Sequence, residues 1–190
     1  FAPLHNPLDS IYFDDRAFAE AVDFGVLYSC VVPGSGNIIG GRAVIIRNFA
    51  ANRSEAVVDE YGFKAALGYN PRMSTHWKGP RPSTRMGSAA MLKAYLSDIF
   101  RKEEQARIKK EKALYELSKP DSPNRGAVWA RREYDLALSE AEWEIFRLFN
   151  GEKTLKVHLH KADDALFLID LKKKYHLDVT AEHALDIHHT

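Results

Sequence analysis

Residues 154–182 constrain the fold more than any other stretch. Residues 154–160 alternate like a strand, residues 162–176 read as a helix opened by Asp163-Asp164, and residues 177–182 read as a second strand. Strand, helix and strand in direct succession make a βαβ unit, and such a crossover lays its two strands parallel in one sheet. Residues two apart on a strand share a face, so His158 and His160 project together while Val157 and Leu159 face the other layer. His183 follows one βαβ step later, which sets its strand end beside that of the first strand. Neutral imidazoles converging from adjacent strand ends suit zinc or a similar divalent ion, and catalytic zinc takes three protein ligands and a water. The chain has 8 histidines, so the same rings are also readable as hydrogen-bonded core residues. Asp163 and Asp164 have a structural role open to them, since acids in a first helical turn cap free amides and favour the helix dipole.

Upstream, residues 15–24 have the spacing of a short amphipathic helix stopped by Gly25. Residues 26–32 form a nearly continuous apolar run. Such a run predicts a strand buried on both faces, as in parallel sheets, with Cys30 as a small core residue. Residues 42–46 and 61–67 read as two further strands. Residues 88–119 predict a long helix with an apolar stripe in Leu92, Leu96, Ile99 and Phe100, and a charged, solvated second half. After a Pro-bearing linker at residues 120–126, a second helix runs to Phe149. The helical pair reads as a hairpin outside the main body.

Composition narrows the partners. The 190 residues carry 27 Lys and Arg against 26 Asp and Glu, a net charge of +1, with 45% hydrophobic residues. That balance gives no field to select nucleic acid or an anionic membrane, and it leaves a small molecule as the expected partner, with a homo-oligomer compatible. One cysteine excludes an internal disulfide framework and a cysteine zinc cluster, leaving histidine and carboxylate as ligands in a reducing, cytoplasmic setting. No stretch approaches the roughly 20 apolar residues of a membrane span. Phe1 is neither an initiator methionine nor part of a signal region, so the natural start is expected elsewhere.

Two loops are candidates for substrate contact. The glycine-rich loop 33–41 lacks the Lys-Ser/Thr of a phosphate-binding Walker loop and does not open a helix. Its Ser35 and Asn37 are candidates for a substrate oxygen, against a plain strand connection as the other reading. The loop 72–87 is basic and long, with His76, Trp77, Lys78, Arg81 and Arg85, and suits a phosphate or sugar acid if its arginines are not merely solvated.

Five segments in order carry a resemblance: 25–48 (GVLYSCVVPGSGNIIGGRAVIIRN), 62–72 (GFKAALGYNPR), 81–92 (RPSTRMGSAAML), 157–164 (VHLHKADD) and 181–189 (AEHALDIHH). Together they resemble the imidazolonepropionase-related branch of the metal-dependent amidohydrolases, near the family-nine carbohydrate esterases. The resemblance implies an α/β fold, a (β/α)8 TIM-type barrel of parallel strands, with the active site at the C-terminal strand ends. It implies hydrolysis of C–N bonds other than peptide bonds, helped by a divalent metal, most simply zinc. In this family the ligands are a His-x-His on the first strand, a middle-strand carboxylate or modified lysine, a histidine on each of the fifth and sixth strands, and an aspartate on the eighth. By motif, His158 matches the fifth-strand ligand with His160 as a second candidate, and His183 the sixth-strand ligand or carbonyl-polarising catalytic histidine. Tyr69 stands where related sequences carry a glutamate, favouring one metal or none. The first-strand pair and the eighth-strand aspartate find no match. A barrel takes about 250 residues, so residues 1–190 are expected to be part of one barrel domain, roughly its second to sixth strands, with 88–149 as a helical elaboration. Alone it is expected to be inactive. The alternative is a binding or scaffold protein that keeps the fold without a working metal site.

Overall fold

Strands β1 (Tyr28–Val31), β2 (Ile39–Arg47), β3 (Val57–Ala66), β4 (Thr154–Leu159) and β5 (Asp178–His183) lie in that order in one sheet. The computed structural model describes residues 1–73, 81–119 and 126–189. Its helices are α1 (Arg16–Asp23), α2 (Arg53–Ala56), α3 (Asn70–Met73), α4 (Arg85–Leu117), α5 (Gly126–Asp135), α6 (Glu140–Phe146) and α7 (Ala162–Tyr175). The fold is α/β, and the sheet curls into a half-barrel.

The strands are not all parallel as expected. β1 with β2 and β2 with β3 are antiparallel, while β3, β4 and β5 are parallel. The mixed sheet follows from connection length: residues 48–56, with the four-residue α2, are too short for a crossover, so β2 turns back on itself into β3. Between β3 and β4, and between β4 and β5, helices supply the crossover. The reading of residues 26–32 as a doubly buried strand is also overturned. β1 ends the sheet, its residues alternate between exposed and half-buried, and Cys30 is exposed. An apolar run reads the same in a central strand and an edge strand, because nothing in it records how many neighbours it has.

One face of the sheet carries the main core. Phe63, Ala65 and Leu67 from β3 and its end join Leu155, Val157 and Leu159 of β4, and they pack with Leu92, Leu96 and Ile99 of α4, Ile145 of α6, and Leu168 and Leu171 of α7. The helical segment is therefore not wholly outside the body, since the first half of α4 and the apolar side of α6, with Ile145 buried and Trp143 and Phe146 packed against it, belong to this core. Thr84 caps α4 through its hydroxyl on the Gly87 amide, starting the helix three residues before the predicted Ser88. The predicted second helix is two. Ser139 and Glu142 form a reciprocal capping box that begins α6 afresh after α5.

The distal half of α4 packs on α5. There the buried Glu103 accepts a 2.6 Å hydrogen bond from the Tyr134 hydroxyl, and Lys110 sits 3.4 Å over the Tyr134 ring. Burial first, then the Glu103 bond and charge, push the Tyr134 phenol up to about 12. α1 begins at Asp15, whose carboxylate accepts from Ala17, and stops at Gly25 as predicted, where φ of +83° lets the amides of Gly25 and Val26 close on Val22 and Ala21.

The parallel pairing of β3 and β4 rests on Gly62. A Cβ there would collide with the backbone carbonyl of Thr154, the residue directly opposite. Gly62→Ala is expected to destabilise the chain by about 1–3 kcal/mol, a fall in melting temperature of about 2–12 °C. Urea unfolding checks this, and an unchanged midpoint would show that the strands do not approach so closely.

Candidate functional site

Parity along the strands decides which side chains meet. With Val157 and Leu159 turned to the core, Thr154, Lys156 and His158 occupy the opposite, inner face of β4. The register sets Ala66 and Glu182 on either side of His158, and Lys64 and Thr180 on either side of Lys156. The inner face is polar where the outer one is apolar.

At the C-terminal ends of β4 and β5 three imidazoles gather. The ring of His158 is 4.6 Å from that of His160 and 4.5 Å from that of His183, centre to centre, and His160 and His183 are 5.4 Å apart. His183 reaches this position by an unusual backbone. Its φ is +68° and that of Ala184 is +49°, two successive left-handed residues that cost of order 1–3 kcal/mol each. The Ala184 amide donates to the carbonyls of Leu159 and Glu182, which pins the turn to the end of β4. By strand parity alone His183 would face the core side, and the left-handed turn brings its ring to the other two.

His158 is 4% exposed. Its Nε2 is 3.0 Å from the side-chain nitrogen of Asn70, the first residue of α3, while its Nδ1 is buried with no partner. The Nδ1 of His160 is likewise buried and unpartnered. Burial above all, then the neighbouring charges of His183, Lys64 and His160, hold the His158 imidazole down at about 4. It is therefore neutral at pH 7, the form in which imidazole binds metal or accepts a proton. Two orphaned imidazole nitrogens fit a divalent ion in donor chemistry. Among the described residues, no three or more His, Cys, Asp or Glu side chains converge closely enough to enclose an ion, so what is present is a partial ligand set.

The other predicted residues separate. Ser35 is drawn in, its hydroxyl accepting a 2.9 Å hydrogen bond from Lys64 Nζ, and Asn37 is half-buried in the same loop before β2. Arg81 is exposed ahead of α4. Arg85 turns to the first turn of α7, with ion pairs of 3.1 Å to Asp164 and 3.5 Å to Asp163. This corrects the capping role expected of those acids: α7 has no side-chain cap bond, and their carboxylates tie α7 to α4 instead. Tyr69 is exposed, with the Arg72 guanidinium 5.8 Å from its ring centre. His76, Trp77 and Lys78 lie outside the described residues. Sequence reasoning missed Asn70 and Lys64. A lysine set between Phe63 and Ala65 in an apolar strand was the available signal for the latter.

Because the folded state holds His158 below its ordinary 6.5, the unfolded chain takes up the proton first as pH falls. The stability this group contributes is full above pH 6.5 and is lost as pH drops through about 4. An NMR titration of His158 is expected to give a midpoint near 4, and a midpoint near 6.5 would contradict the burial described.

No protein-family model matches the chain, and no curated protein matches it. Among solved structures it is similar to an amidohydrolase from Thermotoga maritima MSB8, with a TM-score of 0.73 and 27% sequence identity over 96% of this chain and 43% of that one. The chain thus spans less than half the length of the amidohydrolase it matches. The likeness supports the amidohydrolase superfamily as the level of kinship, and no branch within it.

Proposed function

We propose that the chain supplies part of the active site of a metal-dependent hydrolase that cleaves C–N bonds other than peptide bonds, in an amide, cyclic amide or N-acyl substrate. The observation that carries this reading is the meeting of His158, His160 and His183 at the ends of two parallel strands, with buried imidazole nitrogens left unpartnered. The imidazolonepropionase-related or esterase-like branch is the finer assignment. Partial TIM-type barrel architecture and a cytoplasmic setting belong to the same reading.

A divalent ion, most simply zinc, would be held by His158 and His183 with His160 as a further ligand, and when bound it supplies Lewis acidity toward a carbonyl and an acidified water. The chain's own residues do the rest. Asn70 fixes the ring plane of His158 through Nε2, and burial keeps that ring unprotonated at neutral pH. His183, held by its left-handed turn, is placed to polarise the substrate carbonyl if it is not a ligand. Ser35 and Asn37 offer polar atoms to the substrate from the loop before β2. Arg81 lies at the surface ahead of α4, while Arg85 shapes the site through Asp163 and Asp164. That pairing leaves Arg85 no guanidinium to spare for a phosphate.

A second reading has its own observation. Tyr69 stands where the resemblance would put a carboxylate, and no complete ligand cage forms among the described residues. A scaffold or binding protein with the hydrolase fold and no working metal site accounts for both.

Calorimetric titration with zinc separates the two. Saturable binding is expected, weakened about tenfold or more in His158→Ala and about tenfold in Asn70→Ala, which removes the orienting contact. Absence of binding, with no change in melting on adding chelator, would favour the scaffold. The isolated chain is expected not to hydrolyse N-acyl sugars or cyclic amides at enzyme-like rates, and turnover at such rates would overturn the inactive part of the reading.

A further inference from the structure

Lys64 is the least explained charge in the molecule. It is 4% exposed, yet among the described residues no carboxylate lies within ion-pair distance of it. Its Nζ donates to Ser35 Oγ at 2.9 Å, which answers one of the three donors of an ammonium. The negative charge nearest in the sheet is already used: Glu182 pairs with Lys156 at 2.7 Å and accepts from Thr180 at 3.0 Å. The Lys156 and Glu182 charges cancel, and Lys64 leaves this part of the inner face with one uncompensated positive charge. A buried ion without its counter-charge costs several kcal/mol. The register sets Lys64 opposite Lys156 and Ala66 opposite His158, so Lys64 lies one row below His158, about 7 Å along the strands.

We propose that Lys64 and Ser35 form a seat for a carboxylate of the substrate, one row beneath the histidine cluster. The Lys64 ammonium supplies the charge, and the Ser35 hydroxyl, which accepts from Lys64, has its own proton free to donate to the second carboxylate oxygen. A monoanion matches the single unbalanced charge. The seat selects substrates whose carboxylate stands a few bonds from the scissile C–N bond, with the reacting carbonyl then falling beside His158. Burial also explains why the seat discriminates: a neutral analogue would leave the ammonium desolvated and unpaired.

The inference rests on the reading of the inner face as the reaction site, and its test is done without metal so that the two can fail separately. Chelator-treated protein is titrated with sodium acetate against sodium chloride at equal ionic strength, following the Lys64 side-chain resonances by NMR. A saturable shift with acetate alone is expected, together with a rise in melting temperature of about 3 °C at saturating acetate. Ser35→Ala should weaken acetate several-fold, and Lys64→Met should abolish both effects. No saturable shift at Lys64 in the unmodified protein would overturn the seat even if Lys64→Met fails to fold, and so would equal acetate stabilisation in the variants. Zinc binding at His158 is unaffected by either result.

Discussion

Thr154 and Gly62 meet backbone to backbone, and the rest of the inner face is counted from that contact. Because no side chain fits between them, β3 and β4 lie in one parallel register, with Gly62 opposite Thr154, Lys64 opposite Lys156 and Ala66 opposite His158. A one-residue slip of β4 against β3 would exchange the two faces of β4, sending His158 into the apolar core and Val157 into the polar interior. The β4 to β5 pairing continues the same rows, so that Glu182 stands beside His158 and can neutralise Lys156. The half-barrel thus has an outer face that supplies cohesion and an inner face that gathers the polar groups, and one close approach sets which residue goes where.

Three kinds of cost gather on that inner face. His183 and Ala184 sit in left-handed backbone, His158 and His160 bury ring nitrogens without partners, and Lys64 buries a charge without a counter-ion. Each is unfavourable by itself, and the folded state carries them because the helix-facing core of Phe63, Leu96, Ile145, Leu155 and Leu159 is fully buried. Strain and unsatisfied polar groups are thus concentrated toward the C-terminal ends of adjoining strands.

The βαβ tail was legible in the sequence nearly to the residue, because period-two alternation, first-turn acids and a short return strand all point to one structure. The pairing of His158 with His160 followed from strand parity and the nearness of the β5 end from a parallel crossover, but parity turns His183 to the other face, and the left-handed turn that brings its ring back left no mark beyond the residues themselves. The direction of β1 and β2 was not legible. An apolar run such as 26–32 carries no record of whether its neighbour runs with it or against it, and the short connection at 48–56 was the feature that decided the matter. The break between α5 and α6 was written in Ser139 and Glu142, a local signal hidden inside what looked like a continuous apolar pattern. Asn70 reaches His158 across 88 positions of sequence, and no local pattern predicts a contact of that range.

The histidine cluster as a metal site is the central claim, and X-ray absorption at the zinc edge of the zinc-loaded protein tests it most directly. Two or three imidazole nitrogens at about 2.0–2.1 Å are expected, with imidazole scattering reduced in His158→Ala. A sulfur ligand at about 2.3 Å, which would have to come from Cys30, or a zinc shell without imidazole, would contradict it.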